Sequence, residues 1–313
     1  MSSHHHHDEA NHLAETGRNR LKIVLGIVVA IMVAEVIGGI LSNSLALLGD
    51  AGHMLTDALA LGLAMFAINI ARRPATLTRS FGWHRMEIMA ALANGVTLVL
   101  LALWIFYESY QRFLEPPEVE TPLMLLVATI GLIANIAGIL LLRSSSKEQL
   151  NVKAAFWHII GDTISSGGVI VGGIIISLTG WYIVDPIIAV FIGIIILWGA
   201  TQIVRESADI LLEAVPKHIQ MDEVIGMMQQ VPGVEEIHDI HIWTITSNIY
   251  ALSAHLMITD QSVSHSAEIM QKVTQALADR FNITHTTLQM ECERCESCPA
   301  GFICDISQLA HHA

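Results

Sequence analysis

Charged residues are scarce in this chain, and basic residues are scarcer than acidic ones. Only 14% of its 313 residues are charged, whereas 53% are hydrophobic. An average soluble domain carries about 25% charged residues, so the composition excludes that class and predicts an integral membrane protein. The formal net charge of −13 leaves no concentrated basic face for phosphate groups, which argues against nucleic-acid binding.

Cysteine is absent from the first 291 residues and occurs four times near the end, at Cys292, Cys295, Cys298 and Cys304. No cysteine pair can connect distant parts of the chain, which excludes a disulfide framework of the secreted type. The Cys-x-x-Cys-x-x-Cys spacing indicates thiolate ligands for a soft metal in a reducing compartment. The alternative is a reduced tail that binds nothing.

Long apolar runs occupy the first two thirds of the sequence. Six of them are long enough to cross a bilayer, at about 21–41, 45–71, 86–113, 121–142, 152–178 and 183–212. Arginine and lysine gather in alternate loops, and the other loops have almost no cations. Because short cytoplasmic loops carry the positive excess, the pattern predicts six crossings with both chain ends in the cytoplasm.

Two of these runs carry a histidine followed four residues later by an aspartate: His53 with Asp57, and His158 with Asp162. Residues at positions i and i+4 share one face of a helix. Ionisable groups at membrane depth are costly and usually mark an ion path. Two facing pairs would supply two nitrogens and two carboxylates, which suit a divalent transition metal and zinc above all. One such pair alone could be a satisfied core group, but its recurrence favours a metal site.

Asp50 precedes Asp57 by seven residues and therefore lies on nearly the same helical face. It could tune the site or relay protons, or it could simply lie at the membrane edge. The sequence leaves these two interpretations equal.

After residue 212 the sequence reads as a soluble domain. Helical periodicity covers 221–231 and 264–281, and alternating patterns at 235–245, 249–258 and 284–292 predict strands. This order predicts a small α+β domain with helices on one face of a sheet. The predicted organisation is a histidine-rich tail (1–20), a transmembrane domain (21–212), the α+β domain (213–291) and a cysteine-rich tail (292–313). The run His4 to His7 is either a natural metal-gathering tail or a remnant of a purification tag.

The paired motifs on the second and fifth segments, followed by an α+β domain, resemble the cation diffusion facilitator family over about residues 21–291. The stretches SLALLGDAGHMLTDALAL, SFGWHRMEIMAALANG, HDIHIWTITSN and HTTLQME carry the resemblance. It implies a membrane six-helix all-α bundle with a ferredoxin-like or metallochaperone-like cytoplasmic domain. It also implies a homodimer that exports zinc from the cytoplasm by alternating access, in exchange for protons. Histidine at position 53 resembles the zinc-selective branch.

The resemblance also assigns residues. The four residues of the paired motifs fall on the family's transport site. His84 matches an interfacial metal ligand whose partner is His285; the alternative is that His84 is a solvated loop histidine. Positions that bind metal in the soluble domain of relatives are His238, His255 and Glu291, with His241 as a possible substitute for His238 and His265 as a further member. Cys295 and Cys298 resemble tail cysteines that reach this site. The loop before His84 lacks aspartates, so no multi-metal loop site is expected.

Two other functions are alternatives to transport. An intramembrane metalloenzyme needs a string such as His-Glu-x-x-His with an open metal position, and the chain has no such string. A membrane-anchored metal sensor would not need two ligand pairs at membrane depth. We therefore predict a transporter rather than an enzyme, in the plasma or inner membrane of a bacterium, or in a vesicle membrane if the source is eukaryotic.

Overall fold

The computed structural model describes residues 26–71, 73–142 and 150–292. Within these ranges the side chains at 57, 61, 64, 68, 141–142 and 150–158 are not described. The predicted histidine-rich tail and the cysteines Cys295, Cys298 and Cys304 lie outside the described residues.

Helices α1 to α6 account for the apolar part of the chain. They are α1 (Gly26–Ser42), α2 (Leu45–Ala71), α3 (Met86–Leu114), α4 (Thr121–Leu142), α5 (Leu150–Thr179) and α6 (Val184–Leu211). Helices α2 to α6 are each long and apolar enough to cross a membrane, and α1 is a shorter apolar helix in the described part of the chain. The boundaries of α2 to α6 agree closely with those predicted from the apolar runs, because the bilayer fixes the length of a spanning helix.

The chain divides into two compact units. The first contains residues 1–63 and 93–202. In this unit a buried carboxylate joins two helices. Asp185, in the first turn of α6, accepts hydrogen bonds from Ser44 Oγ (2.6 Å), from the Leu45 amide (2.7 Å) and from the Ala46 amide (3.3 Å). It therefore caps the N-terminus of α2, whose first amides have no partner within the helix.

Arg112 of α3 completes this buried network. Its Nη1 atom lies 3.6 Å from Asp185 Oδ2 and donates to the Asn43 carbonyl oxygen at 2.6 Å. Its other nitrogens donate to Asn43 Oδ1 (3.1 Å) and Glu108 Oε1 (3.1 Å). Both Asp185 and Arg112 are buried, at 0% and 8% exposure. The network therefore ties one end of α2, α3 and α6 together with charged hydrogen bonds.

The second unit contains residues 64–92 and 203–313. Its soluble part has helices α7 (Met221–Gln229) and α8 (Val263–Phe281) and strands β1 (Glu236–Thr246), β2 (Ile249–Met257) and β3 (Ile283–Glu291). The strand order is β1-β2-β3, with β1 antiparallel and β3 parallel to β2. Helix α8 is the crossover that a parallel pair requires.

Helices α7 and α8 pack against the sheet and share an apolar core with it. The fully buried residues of this core include Val224 and Met228 of α7, Leu252 of β2, and Val273 and Leu277 of α8. The predicted order of helix, two strands, helix and strand is confirmed.

Polar contacts also connect the first turn of α3 to the β1–β2 hairpin inside this unit. Glu87 accepts hydrogen bonds from Thr246 Oγ1 (2.8 Å) and Ser247 Oγ (3.0 Å). Arg85, just before α3, forms an ion pair with Glu213 at 2.7 Å. The hairpin and the start of α3 are therefore held together by side-chain bonds.

Replacing Asp185 by Ala should destabilise the protein by about 3–5 kcal/mol, because Arg112 loses a buried partner and the α2 amides lose their cap. The free energy of unfolding in detergent, from a denaturant titration, measures this loss. Asp209→Ala is the control, since Asp209 pairs with an exposed Lys217 at 3.5 Å and such surface pairs contribute at most about 1 kcal/mol. Equal losses in the two variants would contradict the structural role of Asp185.

Candidate metal sites

One cavity in the first unit receives a histidine and an aspartate from different helices. His53 of α2 and Asp162 of α5 both line this cavity, which has a volume of about 570 Å³. The rest of the cavity wall is mainly apolar and comes from α5 and α6, so the imidazole, the carboxylate and the Ser165 hydroxyl are its polar side-chain groups.

Open space adjoins α5 next to the carboxylate. Gly161 and Gly168 line it, and a Cβ atom added at either position would meet nothing within 4 Å. Asp162 itself is only 3% exposed. The sequence around Asp162 thus combines a buried ligand with free space for an ion.

The other two members of the predicted quartet lie on the same helices, Asp57 one turn after His53 on α2 and His158 one turn before Asp162 on α5. Their side chains are outside the described part of the structure. Two of the four predicted ligands therefore share one cavity, and the complete quartet stays a prediction.

Asp50 is buried inside the bundle, at 1% exposure. Ser166 of α5 donates a hydrogen bond to its Oδ2 atom at 3.3 Å. His53 and Asp162 are close enough to interact with it electrostatically. Of the two interpretations of Asp50, this environment favours the one in which it tunes the site.

A second cluster lies on the sheet of the soluble domain. The ligand atoms of His238, His255 and Glu291 all lie within 4.8 Å of one another. Glu291 Oε2 is 3.1 Å from His238 Nε2, and Glu291 Oε1 is 2.9 Å from His255 Nδ1. The strand register explains this, because His238 stands opposite His255 across β1 and β2, and β3 brings Glu291 opposite Met257, two residues after His255.

The contacts in this cluster do not have the geometry of hydrogen bonds. Among the described residues, neither ring nitrogen of His238 has a hydrogen-bond partner, and neither His255 Nδ1 nor Glu291 Oε2 has one. His238 is also almost fully buried, at 1% exposure. Buried polar groups are normally satisfied, and two imidazoles with one carboxylate are a ligand set that suits Zn²⁺. The residues present therefore fit a bound divalent metal.

A β-bulge decides the position of His241. Two residues of β1, Asp239 and Ile240, stand opposite one residue of β2, and Asp239 has a positive φ of 49°. The extra residue returns His241 to the face of His238. However, His241 Nε2 contacts Asp239 Oδ1 at 3.0 Å and lies outside the cluster found around His238. His241 therefore does not take the place of His238.

Asp239 is a residue that the sequence analysis overlooked. Its Oδ2 atom is 3.8 Å from His255 Nε2, so it flanks the cluster on the side away from Glu291. Its position between two histidines in the string HDIH was the available signal. His265, the other suggested member, is exposed on α8 beside Glu268 at 3.7 Å and is not part of the described cluster.

His84 and His285, which are predicted to share an interfacial metal, both lie in the second unit. The ring of Phe81, three residues before His84, makes an edge contact with His285 of β3 at a centroid distance of 5.6 Å. Within the described residues, the cluster of metal-ligating side chains at His238, His255 and Glu291 includes neither His84 nor His285. Their shared metal site stays a prediction. Cys292 is exposed directly after Glu291, and the remaining cysteines are outside the described residues.

Comparison with known proteins agrees with this arrangement. Residues 21–212 match the cation efflux transmembrane domain, and residues 216–293 match the cytoplasmic domain of cation efflux proteins. The chain is 42% identical over 302 residues to the metal cation efflux system protein CzcD of Cupriavidus metallidurans, covering 96% of this chain and 94% of that protein. It is 36% identical over 313 residues to the zinc transporter ZitB of Escherichia coli, covering 99% of each.

Two further similarities were found. A cadmium, cobalt and zinc/H(+)-K(+) antiporter of Bacillus subtilis is 39% identical over 286 residues, covering 90% of this chain and 92% of that protein. The solved metal-bound C-terminal domain of the CzcD transporter is 38% identical, covers 23% of this chain and 99% of that domain, and has a TM-score of 0.22.

The membrane helices and the matched domains define an integral membrane cation transporter. More particularly, the chain belongs to the cation diffusion facilitator family.

Replacing Glu291 by Gln should weaken zinc binding to the soluble-domain cluster by more than about tenfold, because the only carboxylate of the three ligands loses its charge. Calorimetric titration of the full chain with zinc measures the effect as the loss of one class of sites. His265→Ala, at an exposed position of α8, is the control and should bind zinc as the unmodified protein does. Unchanged affinity and stoichiometry in Glu291→Gln would show that this cluster is not a metal site.

Proposed function

We propose that the protein exports Zn²⁺ from the cytoplasm in exchange for protons. The observation that carries the proposal is the cavity in which His53 of α2 faces the same space as Asp162 of α5. The names of the relatives support the choice of ion, since ZitB is a zinc transporter and the Bacillus subtilis protein is an antiporter for cadmium, cobalt and zinc.

The transported ion binds to a quartet completed by Asp57 and His158. A histidine must be neutral at the coordinating nitrogen, and a carboxylate must be ionised, before either can bind a metal. A proton and Zn²⁺ therefore compete for the same ligands. Because an unperturbed histidine titrates near pH 6.5, an acidic exterior favours protonated ligands and release of the metal, whereas the cytoplasm favours loading. Alternating access to the two sides then couples the two fluxes.

The proposed assembly is a homodimer in the lipid bilayer. Six helices cross the membrane, with α1 as the first, and both chain ends lie in the cytoplasm, as the loop charges predict. This arrangement places the His238, His255 and Glu291 cluster on the side from which zinc is taken up. The family match of residues 216–293, whose model is named ZT_dimer, supports dimerisation through the cytoplasmic domain.

The additional metal sites regulate transport in this proposal. Zinc at His238, His255 and Glu291 would report the cytoplasmic zinc level to the membrane domain, and Cys295 and Cys298 would add thiolate ligands from the tail. His84 and His285 would share an interfacial ion. The contacts of Glu87 with the β1–β2 hairpin provide a physical connection between this sheet and α3.

Replacing Asp57 or Asp162 by Ala should abolish zinc transport, because the remaining ligands cannot balance a divalent ion in a medium of low dielectric constant. Vesicles that contain the purified protein together with a zinc dye and a pH dye measure both fluxes at once. Asp260→Ala, in an exposed loop, is the control and should transport normally. Zinc flux through Asp162→Ala, or zinc flux without opposite proton movement, would refute the proposed antiport. Zinc binding without any flux in the unmodified protein would instead favour a sensor.

Replacing His53 by Asp should relax the choice of metal. The substitution exchanges a nitrogen ligand for an oxygen ligand, and harder ions such as Mn²⁺ prefer oxygen. The ratio of manganese to zinc transport in the same vesicles should rise relative to the unmodified protein. An unchanged ratio would indicate that His53 does not contact the transported ion.

A further inference from the structure

Helix α1 contains one charged residue, Glu35, and this residue is fully buried. Its neighbours Val33 and Ile37 are 47% and 53% exposed, whereas Glu35 is 0% exposed. The helix therefore turns its only carboxyl group toward the interior of the bundle. Placing an ionisable group there is costly, which makes it a candidate for function.

A glycine on α4 makes room for this carboxyl group. A Cβ atom added at Gly131 would lie 2.7 Å from Glu35 Oε1, closer than real Cβ atoms come to a neighbour. Asn135 follows Gly131 by four residues and so lies on the same face of α4. It is 1% exposed. Across the described part of the chain, neither oxygen of Glu35 and neither amide atom of Asn135 has a hydrogen-bond partner.

Among the described residues, the charges that act on Glu35 are negative. Asp50 of α2 and Asp162 of α5 are the charged groups that act on it, while α4 faces it with the uncharged Gly131 and Asn135. An ionised Glu35 would thus be buried without a donor and beside like charges, which is strongly unfavourable. A bound proton removes this cost, and it also gives the carboxyl group a hydrogen to donate.

We propose that Glu35 is a proton carrier of the transport cycle that is separate from the metal ligands. This inference rests on the proposed antiport function. While Asp162 is ionised and holds no metal, burial and the negative charges of Asp50 and Asp162 together keep the proton on Glu35. A divalent cation bound at Asp162 replaces one of these negative charges by a net positive one, and the proton leaves the Glu35 carboxyl group for water. Metal loading and proton release are then coupled through space, without competition for one ligand atom.

The number of protons released on zinc binding tests the proposal. Purified full-length protein in weakly buffered detergent solution is titrated with zinc while the pH is recorded. Glu35→Gln should release about one proton fewer per zinc bound to the membrane site, whereas Glu35→Asp should release as many as the unmodified protein. Glu115→Gln, at an exposed position, is the matched control and should change nothing. An unchanged proton count in Glu35→Gln would overturn the proposal.

A measurement on the unmodified protein covers the case in which Glu35→Gln does not fold. Infrared difference spectra with carbon-13 glutamate carboxyl groups should show a protonated glutamate band that disappears when zinc is added. Absence of this band would overturn the assignment. The outcome is distinct from failure of the proposed function, because a protein that releases the Glu35 proton but transports no zinc would disprove antiport and leave the proton site in place.

Discussion

The cost of holding a carboxylate among apolar helices is the constraint on which the membrane part of this protein depends. Three of the buried acids offset this cost in different ways. Asp185 is surrounded by three donors and an arginine, so it stabilises the contact of α2 with α6. Asp162 borders a cavity with room for a cation. Glu35 has neither arrangement among the described residues. The surroundings of each acid, rather than its residue type, thus separate a structural role from an ion-handling one.

The sequence predicted the helices well, because apolar run length is set directly by bilayer thickness. The family resemblance also points to His238, His255 and Glu291, and the strand register brings these three side chains together, whereas metal binding by them stays a prediction. Sequence patterns failed where the pattern of the neighbouring residues hides the role of a single residue. Glu35 does not interrupt the hydropathy of its segment, so the apolar pattern gives no sign of a buried carboxyl group there. The bulge at Asp239 has no clear signal in the alternating pattern, yet it determines the face on which His241 lies.

Strand β1 is important because its two ends meet different partners within the second unit. His238, near its start, belongs to the candidate metal cluster, and Thr246, at its end, donates to Glu87 in the first turn of α3. A strand held in a sheet is stiff compared with a loop. A change in the position of β1 on metal binding would therefore reach α3 through bonds that are already present, without the need to order a new segment.

The parallel pairing of β2 with β3 affects when the candidate metal cluster of the sheet can form. His238 and His255 lie on one antiparallel hairpin, which can form from local contacts, whereas Glu291 arrives only after α8 has crossed the sheet. During synthesis the hairpin emerges well before the third ligand, and a pair of imidazoles alone holds zinc weakly compared with the full set. Before β3 is in place, a nascent chain would therefore have little capacity to bind a metal at this candidate cluster.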